Sequence, residues 1–126
     1  MKQLTKAEEQ IMQILWKLKE GVVKKVVEEF EEPKPAYTTV ATVLKVLEKK
    51  DFVAHKSVGN THLFFPAISK KEYTKFQFTS LLKDYFNGSF PKMATFFAKE
   101  NNLSISELEE MLKMAESELN KDENNK

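Results

Sequence analysis

Apolar residues recur every three or four positions through most of this chain, a spacing that predicts α-helices. The first run is Ala7, Ile11, Ile14, Leu15 and Leu18, widened by Met12 and Trp16. Thr5 and Glu8 stand three apart at its start, the spacing of a capping box, so the first helix is expected to begin there. Gly21 is expected to end it, with Trp16 packed in the core. A second helix reads V-V-K-K-V-V-E-E-F-E-E over 22–32, with Val23, Val26, Val27 and Phe30 facing inward. Pro33 and Pro35 stop it and stiffen a short link. A third helix starts near Thr38, aligns Val40, Val43, Leu44 and Leu47 in one stripe, and closes at Lys49-Lys50-Asp51.

The period then changes. Residues 52–58 and 61–66 flank Gly59-Asn60, a tight-turn pair that predicts a β-hairpin. This turn pairs Ser57 with His62 and His55 with Phe64, so both histidines lie on one face. Three helices followed by a hairpin make a winged helix-turn-helix domain, expected over 1–70. The fold class is therefore mainly α with a small β-hairpin.

Beyond it, a fourth helix over 69–87 carries Tyr73, Phe76, Leu81, Leu82, Tyr85 and Phe86, more apolar surface than a small domain needs. Gly88-Ser89 breaks it. Pro91 suits the first turn of a fifth helix bearing Met93, Phe96 and Phe97. Ser104 and Glu107 repeat the capping-box spacing before a sixth, where Ile105, Leu108, Leu112, Ala115 and Leu119 alternate by three and four. That seam is too short for an independent coiled coil but long enough for a helix in a dimer interface; the alternative is a helix folded back on its own domain. Together with Phe76, Phe86, Phe96 and Phe97, it marks a helical dimerisation domain over 71–120. Residues 121–126 are polar and are expected to form a disordered tail.

The third helix carries the candidate chemistry. Its polar side presents Thr38, Thr39, Thr42, Lys45 and Lys49, with Tyr37 just ahead. Threonine is a mediocre helix former, so repeated threonine on an open face suggests a surface that approaches a partner closely. The DNA major groove is one such partner, because threonine meets base edges and the thymine methyl. An ordinary amphipathic core helix is the other reading. Lys24 and Lys25 lie in the first turn of the second helix, where cations oppose the helix dipole and would be at home beside a phosphate. Lys56, Asn60 and His62 are placed on the hairpin to touch a phosphate backbone.

Charge sharpens this picture only a little. The net charge is +1, yet residues 1–72 hold 13 lysines against 10 acidic residues, and residues 73–126 hold 7 against 9. The N-terminal half is the better candidate for a polyanionic partner. All 20 basic residues are lysine, so bidentate arginine forks play no part. Cysteine is absent, which removes disulfides, thiolate metal sites and cysteine nucleophiles. Two histidines without a third ligand make no zinc site, and no metal or cofactor is expected. There is no glycine-rich phosphate loop, no H-E-x-x-H and no serine nucleophile motif, so enzymatic chemistry is not expected. No apolar run approaches the ~20 residues that span a bilayer. A cytoplasmic location without membrane contact is expected.

Two segments, Leu4–Trp16 (L-T-K-A-E-E-Q-I-M-Q-I-L-W) and Thr38–Val53 (T-T-V-A-T-V-L-K-V-L-E-K-K-D-F-V), carry a family resemblance. They resemble the opening and the recognition helix of the penicillinase repressor family, and Phe64-Phe65 resembles the end of its wing. The resemblance implies a winged-helix DNA-binding domain, a helical dimerisation domain, and repression by a homodimer on a palindromic double-stranded DNA operator. It also implies a membrane sensor-protease upstream if the chain serves a β-lactam circuit. Ala41 and Val46 stand where family members commonly carry basic residues. Phe96-Phe97 aligns with the Asn-Phe bond that is cut during induction in the β-lactam repressors, so induction by that cut does not carry over. The cysteine-rich motif of the copper-responsive relatives is absent. The competing function is a winged-helix module that binds a protein partner through the same helix.

Overall fold

The structure, a computed structural model, describes residues 1–124. The chain runs α1 (Lys6–Leu18), α2 (Val23–Glu28), α3 (Tyr37–Lys49), β1 (Val53–Val58), β2 (Thr61–Pro66), α4 (Lys70–Phe86), α5 (Phe90–Glu100) and α6 (Ile105–Asn124). It divides into two compact units, the first covering Met1–Ser80 and the second starting at Leu81. The first is a winged helix; the second is helical.

The start of α1 is capped from both sides. The Glu8 N–H donates to Thr5 Oγ1 at 3.2 Å, and the Thr5 N–H donates to Glu8 Oε1 at 2.8 Å. The helix ends earlier than Gly21, at Leu18, with Lys19 in a positive-φ conformation (74°) and its N–H on the Leu15 carbonyl. Gly21 has another task. Its N–H and C=O each bond Phe64 at 2.9 Å, so the α1–α2 link closes onto β2 as a one-residue third strand. A Cβ at Gly21 would press on Leu18 Cδ1 at 3.4 Å, within a buried site.

Helix α2 is shorter than the sequence pattern predicts, stopping at Glu28 rather than running to Glu32. The residue before a proline is biased away from helical conformation, which disfavours helix at Glu32. Glu29 and Phe30 close the last turn through bonds to the Val26 and Val27 carbonyls. Lys34 Nζ then takes the Glu28 and Phe30 carbonyls at 2.8 and 2.6 Å, satisfying groups a longer helix would have paired.

The hairpin has the expected register, with Val58 opposite Thr61, Ser57 opposite His62 and His55 opposite Phe64. Gly59 takes the positive φ (62°) that a two-residue hairpin turn requires at its first central position.

One core holds the first unit together: Ile11, Met12 and Leu15 of α1, Val23 and Val26 of α2, Val40, Leu44 and Leu47 of α3, with Phe52, Val53, Phe64 and Tyr73. Trp16 packs against this core, its ring centroid 5.6 Å from that of Tyr73, and its Nε1–H donates to the Ile68 carbonyl at 2.8 Å. Because Tyr73 of α4 is buried here, the first unit extends past residue 70. Phe76, expected at a dimer interface, packs against the rim of this core.

Glu8 is the one buried charged side chain among the described residues. Lys50, at the end of α3, reaches both of its oxygens at 3.0 and 2.8 Å. Burial pushes the Glu8 carboxyl up, but the Lys50 hydrogen bonds, the bonds from Thr5 and the lysine charge more than offset it. The net result lies below the ordinary value of 4.5. A carboxylate lowered in the fold contributes stability above its ordinary pKa and loses it as pH falls through the folded value. Lys50→Ala is expected to cost about 2 kcal/mol at neutral pH, the order of a charged hydrogen-bonded pair left half unmade. Urea unfolding at pH 7 and pH 3 checks this: the difference between the two proteins should shrink at the lower pH.

In the second unit, Ser89 caps α5 through the Lys92 N–H at 3.2 Å, with Pro91 in the first turn. Ser104 caps α6 through the Glu107 N–H at 3.1 Å. Helix α6 continues to Asn124, into the stretch expected to form a tail. Nothing in E-S-E-L-N-K-D-E-N breaks a helix, and Lys121 pairs with Glu118 one turn back at 3.6 Å. Residues 125 and 126 of that expected tail lie outside the described residues. No side chain among residues 81–121 is buried; the rings of Phe86 and Phe96 touch at 5.7 Å, but no core forms around them.

Candidate nucleic-acid interface

Helix α3 has two unlike sides. Val40, Leu44 and Leu47 are sealed in the core, while Tyr37, Thr38, Thr39, Thr42, Lys45 and Lys49 are exposed. Tyr37 is the first helical residue, one earlier than the sequence pattern predicts, and Ala36 ahead of it offers no side-chain cap. The first-turn N–H groups of α3 therefore lack the side-chain acceptor that Thr5 supplies to α1. Such a start suits an anion or a polar base edge. The Thr42 hydroxyl donates to the Thr38 carbonyl at 2.9 Å, which commits its proton and leaves its lone pairs and methyl outward. Thr42 thus presents an acceptor with an apolar side to solvent.

The lysines separate into two groups. Lys24, Lys45 and Lys49 have no acidic partner within 4 Å among the described residues, whereas Lys25 lies 3.8 Å from Glu29 and 4.0 Å from Glu28, and Lys56 lies 3.5 Å from Glu20. A cation already neutralised nearby contributes less to an approaching polyanion. Of the five candidates, Lys45 and Lys49 share the threonine-lined helix and carry free charge.

A cleft of about 360 Å³ runs between α3 and the hairpin. Val23, Ala41 and Phe64 line its apolar part; Tyr37, Lys45, Asn60, Thr61 and His62 bring polar groups to it. The fold thus brings five predicted or neighbouring polar residues from helix and hairpin to one opening. Thr38, Thr39, Thr42 and Lys49, exposed elsewhere on α3, do not line it, and neither do Lys24, Lys25 and Lys56.

One connection was not foreseen from the sequence. Glu48 of α3 meets His55 of β1, Oε2 to Nδ1 at 2.5 Å, and the His55 ring stacks on the His62 ring with centroids 4.2 Å apart and planes 15° from parallel. The shared histidine face was visible in the strand register. The carboxylate on a separate element was not.

An exposed helix and a hairpin thus converge on one polar opening, in the arrangement of a winged helix. Comparison with known proteins gives the family: residues 4–117 match the penicillinase repressor family model. The chain belongs to the penicillinase repressor family. It is similar to the penicillinase repressor of Bacillus licheniformis, at 26% identity over 120 residues, covering 94% of each chain. It is also similar to the methicillin resistance regulatory protein MecI of Staphylococcus aureus strain N315 and of Staphylococcus epidermidis. Each of these is 22% identical over 110 residues, covering 86% of this chain and 89% of the relative. This family comprises transcriptional repressors, not enzymes, and the winged helix with its helical second unit is consistent with that membership. No helix among the described residues is long and apolar enough to cross a membrane.

Proposed function

We propose that the chain represses transcription as a homodimer bound to an inverted-repeat DNA operator. The observation that carries this reading is the α3 face: three exposed threonines, Tyr37 and two unpaired lysines on a helix whose other side is fixed in the core. In a major groove, Tyr37, Thr38, Thr39 and Thr42 stand nearest the base edges, with Lys45 and Lys49 toward phosphates or outer bases. Asn60 and His62 on the wing, and Lys24 in the first turn of α2, contact backbone and orient the protein without specifying sequence. Lys25 and Lys56 contribute after exchanging an internal acidic partner for a phosphate.

Support for the homodimer comes from the second unit. Phe90, Phe96, Phe97, Ile105, Leu112 and Leu119 are all more than half exposed, and no side chain among residues 81–121 is buried. Apolar surface of that extent on helices without a core of their own marks an interface. A second copy of the same surface meets the need, with Leu108 and Ala115 completing the α6 seam and Phe86 beside Phe96.

Lys45→Ala combined with Thr42→Ala tests the helix assignment. Fluorescence anisotropy on the DNA upstream of the chain's own gene, titrated with salt, should show affinity down by about tenfold or more and a shallower salt dependence, since each lost phosphate contact removes about 0.9 from the slope. Unchanged affinity would remove α3 from the interface. No salt-sensitive binding by the unaltered protein would favour a protein partner instead.

A further inference from the structure

We propose that DNA binding by this chain takes up a proton on the wing: His62 meets a backbone phosphate in its charged form, and Glu48 positions it through His55. This rests on the DNA-binding reading of the same face. The chain has only two histidines, and the hairpin stacks them at 4.2 Å with the rings nearly parallel. His55 is half-buried and tied through Nδ1 to the Glu48 carboxylate, whereas His62 is exposed. A carboxylate accepts hydrogen bonds, so Glu48 determines which nitrogen of His55 carries the proton and how its ring lies. The flat face of that ring is the support on which His62 rests. A residue of the recognition helix therefore sets the position of a residue on the wing, with one imidazole between them.

The charges around His62 determine the sign of the effect. From α3, Lys45 and Tyr37 share its cleft and Glu48 stands behind His55. From β1 come His55 itself and Lys56, the latter occupied by Glu20 at 3.5 Å. On β2, Phe64 is apolar and lies edge-on at 6.2 Å. The free chain thus places Lys45, and any charge on His55, near His62, with the one carboxylate already committed to His55. Two charged rings stacked face to face repel each other, and a phosphate arriving at the cleft supplies the missing counter-charge. DNA and a proton therefore favour one another at this site, as linked ligands must.

Imidazole is the side chain whose ordinary titration falls between pH 5 and 8, so with two histidines in the chain the readout is clean. The experiment is fluorescence anisotropy at constant ionic strength between pH 7.5 and 5.5. It uses the chain's own upstream DNA and a random-sequence duplex, because a phosphate contact is indifferent to sequence. Affinity for both should rise on acidification by up to about tenfold per protomer, the order expected of one linked proton. His62→Gln keeps a polar side chain of similar reach; with the wing contact weakened its affinity at pH 7.5 should fall modestly, and it should lose the rise. Glu48→Gln should reduce the rise while circular dichroism shows the fold intact. A flat profile in the unaltered protein, or a rise that survives in His62→Gln, overturns the proposal. A full rise in Glu48→Gln overturns the positioning role of Glu48. Absence of binding at every pH overturns the DNA reading itself, and this inference with it.

Discussion

Replacing Phe52 by alanine is expected to lower the stability of the first unit sharply while leaving it folded in the absence of denaturant. Phe52 is 1% exposed and is among the largest fully buried side chains. It sits where α3 turns into β1: its N–H donates to the Leu47 carbonyl at 3.0 Å, and its own carbonyl accepts from the Ala67 N–H at 2.8 Å. Its ring meets Tyr73 edge-on, with centroids 5.9 Å apart. Truncating such a phenylalanine costs about 3–5 kcal/mol through lost transfer energy and the cavity left behind. A domain of this size is stable by roughly 5–15 kcal/mol, so one substitution removes a large share of the total. Trp16 is the single tryptophan and packs against Tyr73, its ring tilted by 37°, which makes its fluorescence a direct probe of this cluster. Urea unfolding followed by that signal should show the loss; a shift worth less than about 1 kcal/mol would mean that the cluster is not the centre of the core.

Leu108→Asp combined with Leu112→Asp is expected to yield a folded first unit in a monomeric chain that no longer holds its operator. Both positions lie on the α6 seam and are exposed in the single chain, Leu112 at 60%. Paired across a symmetric interface, each leucine becomes buried, and an aspartate there would bring an uncompensated charge into an apolar contact. The consequence for DNA is larger than the local effect. Two linked winged helices bind two half-sites with an effective concentration that a monomer lacks, and such linkage is worth about 10²–10⁴ in affinity. With no arginine to fork onto guanine or phosphate, each half-site depends on threonine, tyrosine and lysine, so the linkage carries much of the binding. Light scattering should give one chain's mass for the variant, with Trp16 fluorescence unchanged.

Local features of the fold were legible residue by residue. Thr5 and Glu8 form the capping box their spacing predicts, and Gly59-Asn60 sets the hairpin register at every pair from Val53 to Val58. The apolar stripe of α3 is buried at Val40, Leu44 and Leu47, because helical periodicity states which side faces a core. The errors arose where a residue serves a partner far away in sequence. Gly21 looked like a helix terminator and is a strand bridge to Phe64, 43 positions on; Lys19 has the positive φ instead. Glu8 reads as a capping residue and also holds Lys50, 42 positions away, and Glu48, to which the sequence assigns no role, holds His55. Such contacts carry no period. The apolar surface of α4 to α6 was visible too, but what covers it was not, because a pattern on one chain is the same whether it packs on itself or on a copy.

The mass of the complex formed on an inverted-repeat duplex, compared with that of the free chain, bears most directly on the whole reading. The duplex is the sequence selected from the chain's own upstream region, with half-sites a whole number of helical turns apart, roughly 34–36 Å each. Two chains per duplex are expected, in a complex that salt dissociates and that the Leu108→Asp, Leu112→Asp protein does not form. A single chain per duplex, or an equal complex with the double variant, would contradict a dimer reading DNA through paired α3 helices.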